Sequence, residues 1–204
     1  MSFKNIISMA FLSIFLSGCI SPKTYVDPSF SNASYDQIKS VNKKYSSNVL
    51  IEFQRNGEHF SRADGELRGH VERTLRATGV ITPGGDSSKY AIKVTVNNIA
   101  DMGDAVAKGF GTGLTFGAAG SLVTDYYEAT IEFVDENGAK HVGTYKHALH
   151  TTIGNKKAPF DNVKPTTPAA GFGTVVEQTI LNFIKEMQDK GVLTKSTLVD
   201  RAYS

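Results

Sequence analysis

Few side chains in this chain have the type and spacing to do chemistry. The five histidines fall at 59, 70, 141, 147 and 150. His147 and His150 are three residues apart within a strand-like run, which sends their rings to opposite faces and spoils a two-ligand metal clamp; exposed sheet and helix histidines are the expectation. Gly109-x-Gly111-x-Gly113 has the look of a phosphate loop, but no Lys-Ser pair closes it and no strand precedes it at dinucleotide-binding spacing, so nucleotide binding is set aside. Neither a Gly-x-Ser-x-Gly elbow nor a His-Glu-x-x-His helix occurs. Asp135 and Glu136 sit beside Asn137-Gly138, where acids serve a turn rather than a paired acid and base. No residue set reads as an active site, and no cofactor or metal is called for. The remaining chemical group is one thiol, Cys19.

Cys19 closes an export-type N-terminus. Lys4 provides a small positive region, and Ile6 to Leu16 is almost wholly apolar yet far shorter than the about 20 residues a membrane span needs. Leu16-Ser17-Gly18-Cys19 resembles the bacterial lipobox, in which diacylglycerol is attached to the cysteine sulfur and a dedicated peptidase then cuts before it. That resemblance implies a signal peptide over 1–18 and a mature chain starting at lipidated Cys19. A thiol used in this way leaves none for disulfides, metal clusters or nucleophilic attack. Several acyl chains (palmitate, for example) anchor stably where one is marginal, at about 0.8 kcal/mol per buried methylene. The sorting pattern of these lipoproteins retains at the inner membrane those with aspartate after the cysteine. Ile20 stands there instead, which implies the outer membrane, with the domain facing the periplasm or exposed at the surface.

Removing residues 1–18 takes away Lys4 and no acid, so the formal charge falls from +2 to +1. Near-neutrality with interspersed signs gives nucleic acid no electrostatic footing. The mature chain is long enough for one domain with a real core. Residues 19–47, with Pro22, Pro28, many Ser and Asn and few large aliphatics, read as a lipid-anchored tether, although Tyr25, Phe30 and Tyr35 are spaced to dock on a domain, and a short helix from Tyr35 to Val41 fits.

The domain is placed at 48–204. Val49 to Phe53 is a strand ended by Asn56-Gly57. Leu67, Val71 and Leu75 repeat every four residues and predict a helix over 63–78, with Gly79 as its cap. Tyr90, Ile92, Val94 and Val96 alternate with Ala91, Lys93, Thr95 and Asn97, the period of a half-buried strand. Runs at 126–133 and 140–150 form a hairpin about Asp135-Glu136-Asn137-Gly138. Thr166-Thr167-Pro168 starts a last helix over 170–190, with Val176, Ile180, Phe183 and Met187 buried and Gly191 as stop. The order β-α-β, insert, β-β, α predicts a single α+β domain with helices on a mixed or antiparallel sheet.

The insert, about 105–123, is glycine-dense, with Gly109, Gly113 and Gly117 four residues apart. On a helix they would line one side and admit another backbone closely, a glycine zipper in the manner of small-xxx-small contacts. Each glycine costs about 1 kcal/mol against alanine in a helix, so such a helix needs a partner surface or lipid. The open readings are a packed glycine-rich loop, a membrane-touching or self-associating helical hairpin, and a ligand-binding loop. The chain as a whole looks like small outer-membrane lipoproteins and, more faintly, envelope assembly lipoproteins such as the curli secretion channel, whose inserts become membrane-spanning β-hairpins in an oligomer. Here the insert lacks apolar-polar alternation, so no pore is carried over. The resemblance implies a structural, interaction or assembly role in the cell envelope, with the membrane as one partner and a homo-oligomer or another envelope protein as a further one. The alternative is a periplasmic ligand-binding module or weak enzyme with a site between sheet and insert.

Overall fold

A computed structural model describes residues 22–30, 33–85, 87–100 and 120–194, Ala100 by its backbone. Seven strands form one mixed sheet: β1 (Lys23–Val26), β2 (Tyr45–Arg55), β3 (Glu58–His59), β4 (Ile81–Gly84), β5 (Tyr90–Ala100), β6 (Ser121–Val134) and β7 (Lys140–Ile153). Two helices accompany them, α1 (Asp64–Thr78) and α2 (Pro168–Asp189). The path across the sheet is β1-β7-β6-β5-β2-β3, with β4 beside β2. β2 runs parallel to β4 and β5; the other pairs are antiparallel. The α+β domain expected from the sequence is therefore present.

Both helices lie on one face, as their spacing requires. Leu67, Val71 and Leu75 of α1 are fully buried, as are Ile180, Phe183 and Ile184 of α2, against Val49, Ile92, Val94, Val96, Ile131, Phe133 and Leu149 of the sheet. At about 25 cal/mol per Å² of apolar surface removed from water, this layer is the main stabilising term. Gly79 takes φ 69 to end α1, and Thr167 accepts the Ala170 N–H at 3.2 Å to start α2 with Pro168 in its first turn. The opposite face of the sheet carries cross-strand ion pairs, including Lys93 with Glu52 at 2.8 Å and Lys140 with Glu132 at 3.1 Å, beside the exposed side chains of Leu50, Ile99, Tyr126 and Val142.

The outer edge of β2 is shared by β4 and β3, and between them α1 blocks it. Asp64 Oδ1 accepts the Phe53 N–H at 2.8 Å, and Arg68 donates to the Val49 carbonyl at 3.0 Å. Edge groups that would otherwise invite another strand are thus occupied.

Two expected boundaries move. The described part of the stretch expected as a tether over 19–47 enters the fold: Lys23–Val26 is a strand on β7, Thr24 and Tyr25 are buried, and the backbone at Ala33 and Lys39 bonds to Asn182 and Gln188 of α2. The few aliphatics conceal this, because aromatic burial and polar contacts to α2, rather than an apolar stripe, hold the segment. Tyr35–Gln37 is a single 3-10 turn, not a longer helix. At the other boundary, residues 121–123 belong to β6 rather than to the insert, since Leu122 and Val123 pair with Thr152 and Thr151.

Candidate functional site

Cys19 and the glycines Gly109, Gly113 and Gly117 lie outside the described residues. Their attachment points do not. β1 begins at Lys23, four residues after Cys19, and Lys23 pairs with Thr152 of β7, which pairs in turn with Leu122 of β6. The chain leaves β5 at Ala100, opposite Asp125, and is described again from Gly120, just before β6. The segment leading from Cys19 and both ends of the insert therefore meet the sheet at the same end. The loop after β7 joins them there. Thr24 and Thr166 exchange backbone hydrogen bonds at 3.0 and 2.7 Å, and Gly120, at φ 66, packs so tightly on the Lys156 backbone that a Cβ would stand 2.5 Å from its nitrogen. We call this the anchor end.

One half-buried polar group fastens β1 to this end. His150 Nε2 stands 3.0 Å from Asp27 Oδ2 and His150 Nδ1 stands 3.0 Å from Thr124 Oγ1, with the Phe160 ring edge-on at 5.1 Å. The neutral tautomer that serves both partners donates from Nε2 to the carboxylate and accepts the threonine hydroxyl at Nδ1. Burial pushes the Asp27 carboxyl up, but the hydrogen bonds from His150 and Ser29 outweigh it and leave the group below its ordinary range. A hydroxyl, an imidazole and a carboxylate in a row could relay a proton. Here each member ties a different segment: Asp27 follows β1, Thr124 belongs to β6 and His150 to β7. Sequence reasoning missed this group, since its members lie far apart in the chain.

Of the histidines expected to be exposed only His59 is; His70, His141 and His150 are half-buried, and the departure is largest at His147. It is 1% exposed, stacks on Phe30 at 5.1 Å, accepts the Ala148 N–H at Nδ1 and meets Gln178 of α2 through Nε2. Its role is to hold α2 and the N-terminal segment on β7. The opposite orientation of His147 and His150 is as expected. Among the described residues, no cluster of three or more His, Cys, Asp or Glu side chains is arranged to hold a metal.

A cavity of about 380 Å³ opens at the far end of the sheet from the anchor end. Its floor is aromatic: Tyr90 stacks on Phe133 at 5.8 Å and Tyr45 meets both edge-on. Lys43, Lys44 and Asp135 stand at its rim. Asp135 is already engaged, accepting the Asn137 and Ala139 N–H groups at 2.8 and 2.9 Å, and these bonds, the Ala139 one foremost, hold its carboxyl low. It acts as the turn former expected from its sequence. The buried His141 Nε2 beside it has no hydrogen-bond partner and lies 3.6 Å from Asp135 Oδ2.

No family model matches the chain, and no curated protein sequence does. Solved structures to which it is similar include the PelC dodecamer from Paraburkholderia phytofirmans, at 14% identity over 80% of this chain and 97% of that one, with a TM-score of 0.37. A protein from Xanthomonas campestris is 12% identical over 84% of this chain and 95% of that one, at a TM-score of 0.37. A minor lipoprotein from Acinetobacter baumannii is 13% identical over 74% of this chain and 98% of that one, at 0.33. Likenesses this distant transfer no function.

Proposed function

We propose that this chain is a lipoprotein of the bacterial cell envelope, exported, acylated on Cys19 and held at the outer membrane, whose domain works by binding other envelope components and not by catalysis. The observation that carries the reading is Leu16-Ser17-Gly18-Cys19 at the end of a signal-length apolar run. The lone cysteine agrees with it, and Ile20 in the sorting position favours the outer membrane. Among the described residues no helix is long and apolar enough to cross a membrane.

The interaction role rests on two further features. The chain carries a glycine-dense stretch that, on a helix, would present a smooth side to another backbone. The described polar clusters, in turn, are used up in holding segments together: Asp27, Thr124 and His150 at the anchor end, and His147 with Gln178 on α2. The cavity at the far end supports a ligand-binding module less well, because Asp135, one of the two carboxylates that line it, already serves the turn.

The test is fractionation of cells producing the wild type or Cys19→Ser. The wild type is expected in the outer-membrane fraction at mature size. The variant is expected as a larger, unacylated precursor. A variant processed and distributed like the wild type overturns the reading.

A further inference from the structure

We propose that the anchor end of the sheet rests on an anionic phospholipid surface, with Lys23, Lys156 and Lys157 against the headgroups. This takes the acylation of Cys19 as given and adds an orientation and a lipid class to it.

The first support is reach. Three residues separate Cys19 from Lys23, and the four fully extended Cα steps between them span at most about 14 Å. Lys23 is fixed in β1, where Tyr25 is buried and Asp27 is held by His150, so the short link cannot lengthen by peeling β1 away without losing those contacts. A domain tied this closely to an acylated residue cannot stand clear of the membrane. The end it turns toward the membrane is the end where Lys23 leaves the sheet.

Charge at that end is the second support. Lys156 packs against Gly120 beside the first residues of β6, Lys157 follows it, and all three lysines are exposed. Among the described residues none of the three is in an ion pair, as is also true of Lys43 and Lys44 at the far end, whereas Lys93, Lys140, Lys185 and Lys190 each face a carboxylate within 4 Å. The loop from Gly154 to Thr166 carries Lys156, Lys157 and Lys164 against a single acid, Asp161. Basic side chains near an anionic leaflet are attracted over about a Debye length, some 8 Å at physiological ionic strength, a distance of the same order as the reach of the short link.

The experiment uses acylated wild-type protein purified from membranes and placed in three settings: vesicles of phosphatidylethanolamine with phosphatidylglycerol, vesicles of phosphatidylcholine alone, and detergent. Amine acetylation is then read lysine by lysine by mass spectrometry. In the anionic vesicles, labelling of Lys23, Lys156 and Lys157 is expected to slow several-fold relative to detergent, with Lys43, Lys44 and Lys190 at the far end unchanged. Phosphatidylcholine is expected to protect them less. Equal labelling in all three settings, protection at the far end instead, or protection already complete in detergent, as a contact between copies would give, overturns the proposal. The same spectra report the N-terminal peptide. An unacylated peptide overturns the anchoring itself, while acylated protein with unprotected lysines overturns the orientation alone.

Discussion

Asp27 and His150, 123 positions apart in the chain, stand 3.0 Å apart beside the strand that leads to Cys19. Through the other ring nitrogen, Thr124 joins them. Any pull on an N-terminal anchor is therefore passed from β1 to β7 and β6 through one imidazole as well as through the backbone ladder.

Replacing His150 with alanine should loosen this corner. The change leaves a partly buried carboxylate and a threonine hydroxyl without their partner, a loss of about 1–3 kcal/mol. Urea unfolding should show the drop. Hydrogen exchange should rise at Tyr25 and Val26 well before it rises in β5; an even rise across the sheet would mean that His150 does not fasten β1.

Acid should weaken the same corner. The Asp27 and Asp64 carboxyls are both held below their ordinary value of 3.8, Asp64 chiefly by the Phe53 N–H and then by His59. Groups depressed in the folded state contribute stability above the unfolded pKa and lose it as pH falls through the folded one. Urea midpoints should thus fall as pH drops below about 4, and more shallowly in Asp27→Asn. Parallel curves for wild type and variant would show that Asp27 carries none of the effect.

Gly120 and Gly138 share a left-handed backbone, at φ 66 and 81, but differ in surroundings. A Cβ at 138 meets nothing within 4 Å, whereas at 120 it overlaps the Lys156 backbone. Gly138→Ala should cost about 1–2 kcal/mol, the backbone penalty alone. Gly120→Ala should cost clearly more, because neither the loop nor β6 can give way cheaply. Thermal melts of the two variants check the order.

Self-association through the glycine-dense stretch makes its own forecast from spacing alone. Gly113→Val should weaken association, while Gly113→Ala should be milder, since alanine removes the entropic cost of glycine in a helix. Sedimentation of the wild type and both variants, with and without detergent, reads the result; equal association in all three removes the zipper.

Much of the scaffold is legible in the sequence because periodicity reports burial. Leu67, Val71 and Leu75 repeat at helical spacing, and Tyr90 to Val96 alternates like a strand, and both stripes face the core. Thr167-Pro168 and Asp135 to Gly138 mark their cap and turn through side-chain chemistry that acts locally. β1 escapes because Lys23-Thr24-Tyr25-Val26 is too short for a period to emerge and stands between two prolines. The Asp27, Thr124 and His150 cluster escapes for a different reason: topology assembles it, and no local pattern encodes partners on three segments. His147 looks like a surface residue until Gln178 and Phe30 are placed over it.

The central claim, that this domain is anchored through Cys19, is tested most directly by the mass of the N-terminal peptide of protein purified from the native membrane. The account predicts a mature chain that begins at Cys19, with diacylglycerol on its sulfur. A mature chain that begins elsewhere, or a Cys19 with a free thiol, would contradict it.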